Sequence, residues 1–198
     1  MAQQQTQKSA DELAVRLEGV RLSFPALDKK KSNGPGSDKE SFQATFLFPP
    51  GYDFTKLKAA MKAAVLKKWN KLDVKGLRNP LRDASEKEYA GYDKGWMFLA
   101  TKSDVQVPVV GPDKLPIDLA RVYAGCYVNA HVSAWCYDNK WGKGISFNLK
   151  AIQFVKEGER LDGRGKPSDP DAVFDALELP PDDGGASTGG GDDTWSPF

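Results

Sequence analysis

The chain has 198 residues, of which 28% are charged and 40% hydrophobic, and its formal net charge at pH 7 is +1. This length accommodates one domain of about 150 residues and an extension. The sequence has no long apolar run and no signal-like N-terminus, so we expect neither a membrane span nor secretion. Two cysteines without metal-ligand spacing and one histidine argue against a disulfide framework or a metal site, and they favour a cytoplasmic protein.

The near-neutral total conceals an uneven charge distribution. Residues 1–156 contain 25 Lys and Arg against 16 Asp and Glu, a net charge of +9. Residues 157–198 contain 3 basic and 11 acidic residues, a net charge of −8. A basic body with an acidic tail is typical of a protein whose body binds a polyanion and whose tail competes for the same surface, although such tails also serve only to solubilise a domain.

The N-terminal half predicts two strands and a helix. Residues 1–10 are Gln-rich and are expected to be disordered, and residues 13–24 alternate in polarity with a change of phase that predicts a bulge at Gly19 and places Phe24 on the core face. A Lys-, Ser- and Gly-rich loop over residues 28–39 precedes a second strand over residues 42–48. Residues 54–72 predict an amphipathic helix whose lysines form either a solvated face or a contact surface for nucleic acid.

A polar loop and a short buried strand follow the helix. The loop spans residues 79–92, and the strand spans residues 95–100. The basic and aromatic residues of these segments, with Arg78 just before them, are secondary candidates for contact with nucleic acid: Arg78, Arg82, Tyr89, Tyr92 and Trp96.

Residues 121–137 have the clearest functional pattern. Even-numbered residues are small and apolar, which predicts a strand with that face in the core. The opposite face provides the main candidates for DNA contact: Arg121, Tyr123, Tyr127, Asn129, Trp135 and Tyr137. Bases stack on such rings at about 1–3 kcal/mol each while Lys and Arg hold phosphates. Alternatively, a further layer of protein covers the rings and makes them core.

A hairpin turn over residues 138–144 adds Lys140, Trp141 and Lys143 to these candidates. Basic hairpin tips also occur merely to keep a protein soluble. The returning strand spans residues 145–156 and changes phase near Ala151.

Long bent strands, one helix and an aromatic face predict a mainly β protein: an OB-fold-like five-stranded barrel with extended hairpins and one main α-helix over residues 11–160. Five runs carry a resemblance to a known family: VRLSFP at 20–25, FLFP at 46–49, NPLRD at 79–83, YAGCYVN at 123–129 and GKGI at 142–145. With these runs the chain resembles the tailed-phage single-stranded DNA-binding proteins, first catalogued as a domain of unknown function, over about residues 14–160. The resemblance implies an OB-fold that binds single-stranded DNA, and it assigns no individual contacts.

Residues 161–198 are predicted to form a flexible acidic tail, with a short helix over residues 168–179. A Gly-rich tether ends in an interaction tip at residues 192–198. This tip resembles that of bacterial single-stranded DNA-binding proteins, which recruits replication and repair partners, but it has fewer acids and an inserted Ser196. The residues predicted to bind partners are Asp192, Asp193, Trp195, Pro197 and Phe198.

These patterns favour a non-enzymatic protein that coats and protects single-stranded DNA during phage replication, recombination and repair. Its tail would compete with DNA and recruit phage or host proteins. The alternative is a replication or recombination scaffold whose barrel binds protein. A nuclease is disfavoured because metal-dependent nucleases cluster acidic residues, and the acids of this body are scattered. We expect no cofactor, metal or membrane partner, and a monomer or weak dimer.

Overall fold

The computed structural model describes residues 12–34 and 36–163. Within these residues the α-helix α1 spans Thr55–Trp69, and 3₁₀ turns span Ala84–Glu86 and Leu119–Arg121. No helix in this part of the chain combines the length and the apolar character needed to cross a membrane. The strands are β1 Ala14–Ser32, β2 Glu40–Phe48, β3 Leu77–Arg78, β4 Leu81–Asp83, β5 Met97–Ser103, β6 Val109–Val110, β7 Tyr127–Asn139 and β8 Gly142–Lys156.

Five strands form a closed barrel, which confirms the predicted fold class. Their order is β8-β7-β1-β2-β5, and a parallel pairing of Lys102 in β5 with Asn148 in β8 closes the circle. The short strands add to this barrel, with β4 on β5 and with β3 and β6 on β8. Because every barrel strand uses one face for the interior, a ligand surface must be built on the outside.

Two bulges bend the long strands where the sequence predicted a change of phase. In β1, Leu17 pairs with Ala130 and Val20 pairs with Val128, so an extra residue lies between them near Gly19. Gly19 has φ +60°, and its N–H donates to Oδ1 of Asn129 at 3.0 Å. In β8 the register shifts between Leu149 and Ala151, as predicted.

The core follows the predicted alternation in β7. Val128, Ala130, Val132 and Ala134 are at most 1% exposed and pack with inward residues of the other strands. Helix α1 adds Leu57, Ala60, Ala64 and Val65 to the same core. Its lysines face solvent, as the amphipathic pattern predicted.

Three predicted segments differ from the structure. Strand β1 continues to Ser32 rather than giving way to a loop at residue 28, because its backbone finds partners in β2 down to the pair Ser32–Glu40. Strand β7 begins at Tyr127 rather than at residue 121, since Arg121 lies in a 3₁₀ turn and Gly125 has φ +117°. The predicted loop over residues 79–92 contains β4 and a 3₁₀ turn.

Candidate nucleic-acid interface

A small second hydrophobic cluster covers part of the outer face of β2 and β5. Leu47 and Phe98 pair across these strands and point away from the barrel interior. Ala84 and Tyr92, from the connection between β4 and β5, pack on them, with Trp96 and Leu161 partly buried at the edge. The cluster fixes the connection to the barrel and so positions the residues beside it.

Tyr92 and Trp96 are thus partly structural. The Tyr92 side chain is 7% exposed, its hydroxyl donates to Ser23 Oγ at 3.3 Å, and burial raises its pKa. The Tyr92 ring packs beside Phe24 and Tyr89, with its centroid 6.2 Å from that of Phe24 and 5.4 Å from that of Tyr89.

Phe24 projects from the barrel instead of entering the core, so the prediction for this residue is wrong. Its φ is +46°, in the left-handed region that bulky residues rarely adopt, and its side chain is 53% exposed. The β1–β2 register shifts between Ser23 and Ala26, which turns Phe24 outward while Ala26 returns to the core. The Phe24 ring meets Tyr89 edge to face, with centroids 5.1 Å apart.

Two adjoining hollows share the lining residues Phe24, Lys31 and Tyr89, and the two together are here called the aromatic groove. The first hollow has a volume of about 370 Å³ and the second about 330 Å³. The first is also lined by Ala26, Ser32, Gln43, Thr45, Lys87, Tyr92 and Phe98. The second is also lined by Ser23, Pro25, Ala90, Tyr123, Ala124, Leu161 and Asp162. Exposed rings beside two lysines suit a ligand with flat apolar groups and negative charge.

Arg82 lies at the edge of this region. Its guanidinium is 5.1 Å from the centroid of the Phe98 ring and forms a 2.6 Å ion pair with Glu86. The pairing offsets part of its charge, which makes Arg82 a weaker phosphate ligand than Lys31 or Lys87.

Residues 157–162, here called the strap, cross the outer face after β8 and reach the groove. The Leu161 N–H donates to the Ala124 carbonyl at 2.8 Å, and Arg21 Nη2 donates to the Glu159 carbonyl at 2.9 Å. The Tyr123 hydroxyl donates to the Gly158 carbonyl at 2.9 Å. These bonds hold the strap against the second hollow.

Glycines make this close approach possible. A Cβ at Gly158 would overlap the carbonyl oxygen of Gly125, and a Cβ at Gly125 would overlap that of Glu159. The strap also covers a predicted stacking ring, because the Arg160 guanidinium lies 4.3 Å from the Tyr123 centroid. Tyr123 therefore belongs to the groove wall with one face occupied.

The outward face of β7 is confirmed as a face, but its first residues are engaged within the protein. Lys156 Nζ lies 4.9 Å from the Tyr127 ring centroid, and the Arg121 guanidinium lies 5.4 Å from that of Phe154. The Asn129 side chain binds the Gly19 N–H and donates to Gln153 Oε1 at 3.0 Å, so it stabilises the bulge.

The remaining predicted residues gather at the β7–β8 hairpin, away from the groove. Asn139 pairs with Gly142, which leaves a turn of two residues, Lys140 and Trp141. Strand β3 runs beside β8 and brings Arg78 next to Gly142. The surface here called the hairpin platform consists of Arg78, Trp135, Tyr137, Lys140 and Trp141, whereas Lys143 pairs with Asp138 on the opposite face of the hairpin.

The structure thus divides the predicted residues between two surfaces, the aromatic groove and the hairpin platform. The sequence analysis did not identify Phe24, Lys31 and Lys87 of the groove as candidates. Pro25 was the available signal for Phe24, because proline within a strand marks an edge or a bulge. Nothing local to Lys31 or Lys87 distinguishes them from the many solvated lysines of the chain. Among the described residues, no group of three or more His, Cys, Asp or Glu is arranged to hold a metal ion.

Comparisons with known proteins bear on this geometry. A family model described as "Enterobacter phage Enc34, ssDNA-binding protein" matches residues 13–182. Protein p50 of Acyrthosiphon pisum secondary endosymbiont phage 1 is 33% identical over 170 residues, which cover 79% of this chain and 90% of p50.

Two solved structures share the fold. The single-stranded DNA-binding protein from bacteriophage Enc34 in complex with ssDNA has a TM-score of 0.63 at 22% identity, covering 75% of this chain and 89% of that one. The single-stranded DNA-binding protein gp2.5 of bacteriophage T7 has a TM-score of 0.52 at 12% identity, covering 78% and 98%. The descriptions of the matching family and of both solved structures name DNA binding and no chemical reaction.

Proposed function

Because the chain belongs to the family of the Enterobacter phage Enc34 ssDNA-binding protein, we propose that it binds single-stranded DNA in the aromatic groove. It would coat and protect the strand during phage replication, recombination and repair in the cytoplasm of the host. The observation that carries this proposal is Phe24, held outward in a left-handed conformation beside Tyr89 and between the walls that contain Lys31 and Lys87.

The chemistry of the groove suits a strand without base pairs. Unstacked bases place their faces on Phe24 and Tyr89, at about 1–3 kcal/mol per base and with little preference among bases. Lys31 and Lys87 neutralise phosphates, so affinity falls as salt rises because counterions are released from the strand. Arg82 contacts phosphate only at the edge of the groove, and Tyr92 and Trp96 act mainly by packing in the hydrophobic cluster beside it.

The strand continues past the shared rings towards Tyr123. Beyond Tyr123, the strand would contact Tyr127 at the start of β7 and Arg121 in the preceding 3₁₀ turn. Asn129 would act by shaping the bulge at Gly19 rather than by touching DNA. Tyr123 becomes available for stacking only when Arg160 leaves its ring.

The acidic tail competes with DNA for the groove in this proposal. The net charge of −8 over residues 157–198 supports the competition, as does the strap, which contributes Asp162 to the groove wall. Most of the tail, with its predicted helix and the tip at residues 192–198, lies outside the described residues. When DNA displaces the tail, the tip recruits phage or host replication and recombination proteins.

Fluorescence anisotropy with a labelled, unstructured DNA strand tests the proposal. We expect Phe24→Ala with Tyr89→Ala to weaken binding at least tenfold, and Leu115→Ala, an exposed residue that lines neither hollow, to leave it unchanged. A truncation after Pro180 should bind more tightly than the full chain at low salt.

The outcomes separate the parts of the proposal. Unchanged binding in the double variant would remove the groove, and unchanged or weaker binding after truncation would remove the competition. A full chain and a truncation that both fail to bind DNA would favour the scaffold hypothesis, in which the barrel binds protein.

A further inference from the structure

The hairpin platform is exposed and lies apart from the aromatic groove. Trp141 is 72% exposed and Trp135 is 42% exposed. Tyr127 begins β7 opposite Arg21, beside the strap, whereas Trp135 lies eight residues further along the strand. At about 3.3 Å per residue the two ends are at most roughly 26 Å apart.

The platform is stiff. The Tyr137 ring lies directly on Gly144 of the neighbouring strand, where a Cβ would overlap it. The Trp135 and Tyr137 centroids are 6.0 Å apart on the same face of β7. Trp141 lies in a two-residue turn, and its backbone N–H donates to Asn139 Oδ1 at 2.9 Å. Rings that are already ordered lose little entropy when a ligand stacks on them.

The charge of the platform is positive. Lys140 Nζ lies 5.1 Å from the Trp141 ring centroid, and Arg78 lies beside Gly142. The neighbouring carboxylate, Asp138, is already engaged by Lys143 at 3.3 Å and by Trp69 Nε1 at 3.4 Å. Two cations, Lys140 and Arg78, therefore lie beside the exposed indoles, while Lys143 and Asp138 pair with each other on the opposite face of the hairpin.

We infer that the hairpin platform is a second single-strand site, separate from the groove and occupied by a further stretch of the same strand. The inference rests on the proposed function, because a strand held in the groove is present at high local concentration near the platform. A nucleic acid supplies flat faces for the indoles and a phosphate for each cation in one repeating unit, which an acidic protein surface does only by special arrangement.

The separation predicts a step in affinity with strand length. At about 3.4 Å per phosphate, a stacked strand needs roughly eight nucleotides to cover the length of β7 from Tyr127, beside the strap, to Trp135 on the platform. A strand of about six nucleotides occupies one surface at a time, and a strand of about 25 reaches both.

Binding of oligothymidylates of about six and about 25 nucleotides to the full chain tests the inference. We expect Trp135→Ala with Trp141→Ala to weaken binding of the long strand roughly ten- to a hundredfold and to leave that of the short strand within about twofold. Trp141→Ala alone, at the turn, should show the same pattern at smaller size, and Leu115→Ala should change neither. Far-ultraviolet circular dichroism and melting verify that each variant is folded.

The alternatives give different results. Equal losses for both strands would mean one continuous site, and no loss for either would make the platform a protein-binding surface; each result overturns the inference. Phe24→Ala is the companion variant: if it leaves the affinity for the short strand unchanged, the groove assignment fails, whereas the platform is judged by the long strand alone.

Discussion

The left-handed backbone of Phe24 predicts an unusual order of stability among substitutions at this position. At an ordinary strand position, glycine is less stable than alanine by about 0.5–1 kcal/mol, because glycine loses more backbone entropy on folding. At φ +46° the order reverses, since a Cβ in the left-handed region costs about 1–2 kcal/mol and glycine has none. We therefore expect Phe24→Gly to have a free energy of unfolding about 1 kcal/mol above that of Phe24→Ala.

The same two variants should lose DNA binding equally. Each removes the ring that meets Tyr89 at 5.1 Å, which costs about 0.5–1.5 kcal/mol of stability through the ring contact. Each also removes one stacked base, about 1–3 kcal/mol of binding, or roughly 5- to 150-fold in Kd. Against wild type, relief of strain offsets the lost contact in Phe24→Gly, so its stability should remain within about 1 kcal/mol.

Urea unfolding followed by circular dichroism measures the stability, and anisotropy titration measures the binding. Tyr89→Ala is the matched control, because it removes the same ring contact from a backbone without left-handed strain, so it should lose both binding and the stability of that contact with no relief of strain to offset the loss. If Phe24→Gly is less stable than Phe24→Ala, the strain does not exist. If the two variants retain full affinity, the ring does not stack on DNA.

Three further predictions concern the strap, the groove walls and a buried thiol. Gly158→Ala should push the strap off the barrel, giving faster tryptic cleavage at residue 160 and tighter DNA binding, whereas Leu115→Ala, an exposed residue outside the strap, should give neither. Lys31→Ala or Lys87→Ala should lower the slope of log affinity against log salt by about one each, and an unchanged slope would place the phosphates elsewhere. Burial raises the pKa of Cys126 from 9.0 to about 11, so the unfolded chain loses this proton first and stability should fall as pH rises from about 9 to 11; replacement by Ala should make that fall shallower, and an unchanged slope would contradict the assignment.

Features set by local periodicity could be predicted from the sequence, and features set by long-range packing could not. The inward face of β7 and the bulge at Gly19 follow from a side-chain period of two, which holds whatever the strand packs against. The outward turn of Phe24 depends on the register shift between Ser23 and Ala26 in the β1–β2 pairing, which reverses the phase that the sequence pattern predicts. Lys31 and Lys87 come together only because the β4–β5 connection packs on Leu47 and Phe98.

The position of the groove follows from closure of the barrel. The inner faces of β2 and β5 are filled by Phe46 and Leu99, so the outer face carries any ligand, and the cluster around Leu47 and Phe98 already covers its one apolar end. The uncovered end contains Thr45 and Gln43, which bind little by themselves, and Phe24 supplies the missing ring from the neighbouring strand. Folding alone would favour glycine at this backbone position, because it removes the strain and the side chain is half exposed. The proposed stacking of DNA on Phe24 accounts for this strain, and it predicts that stability and affinity separate at this residue.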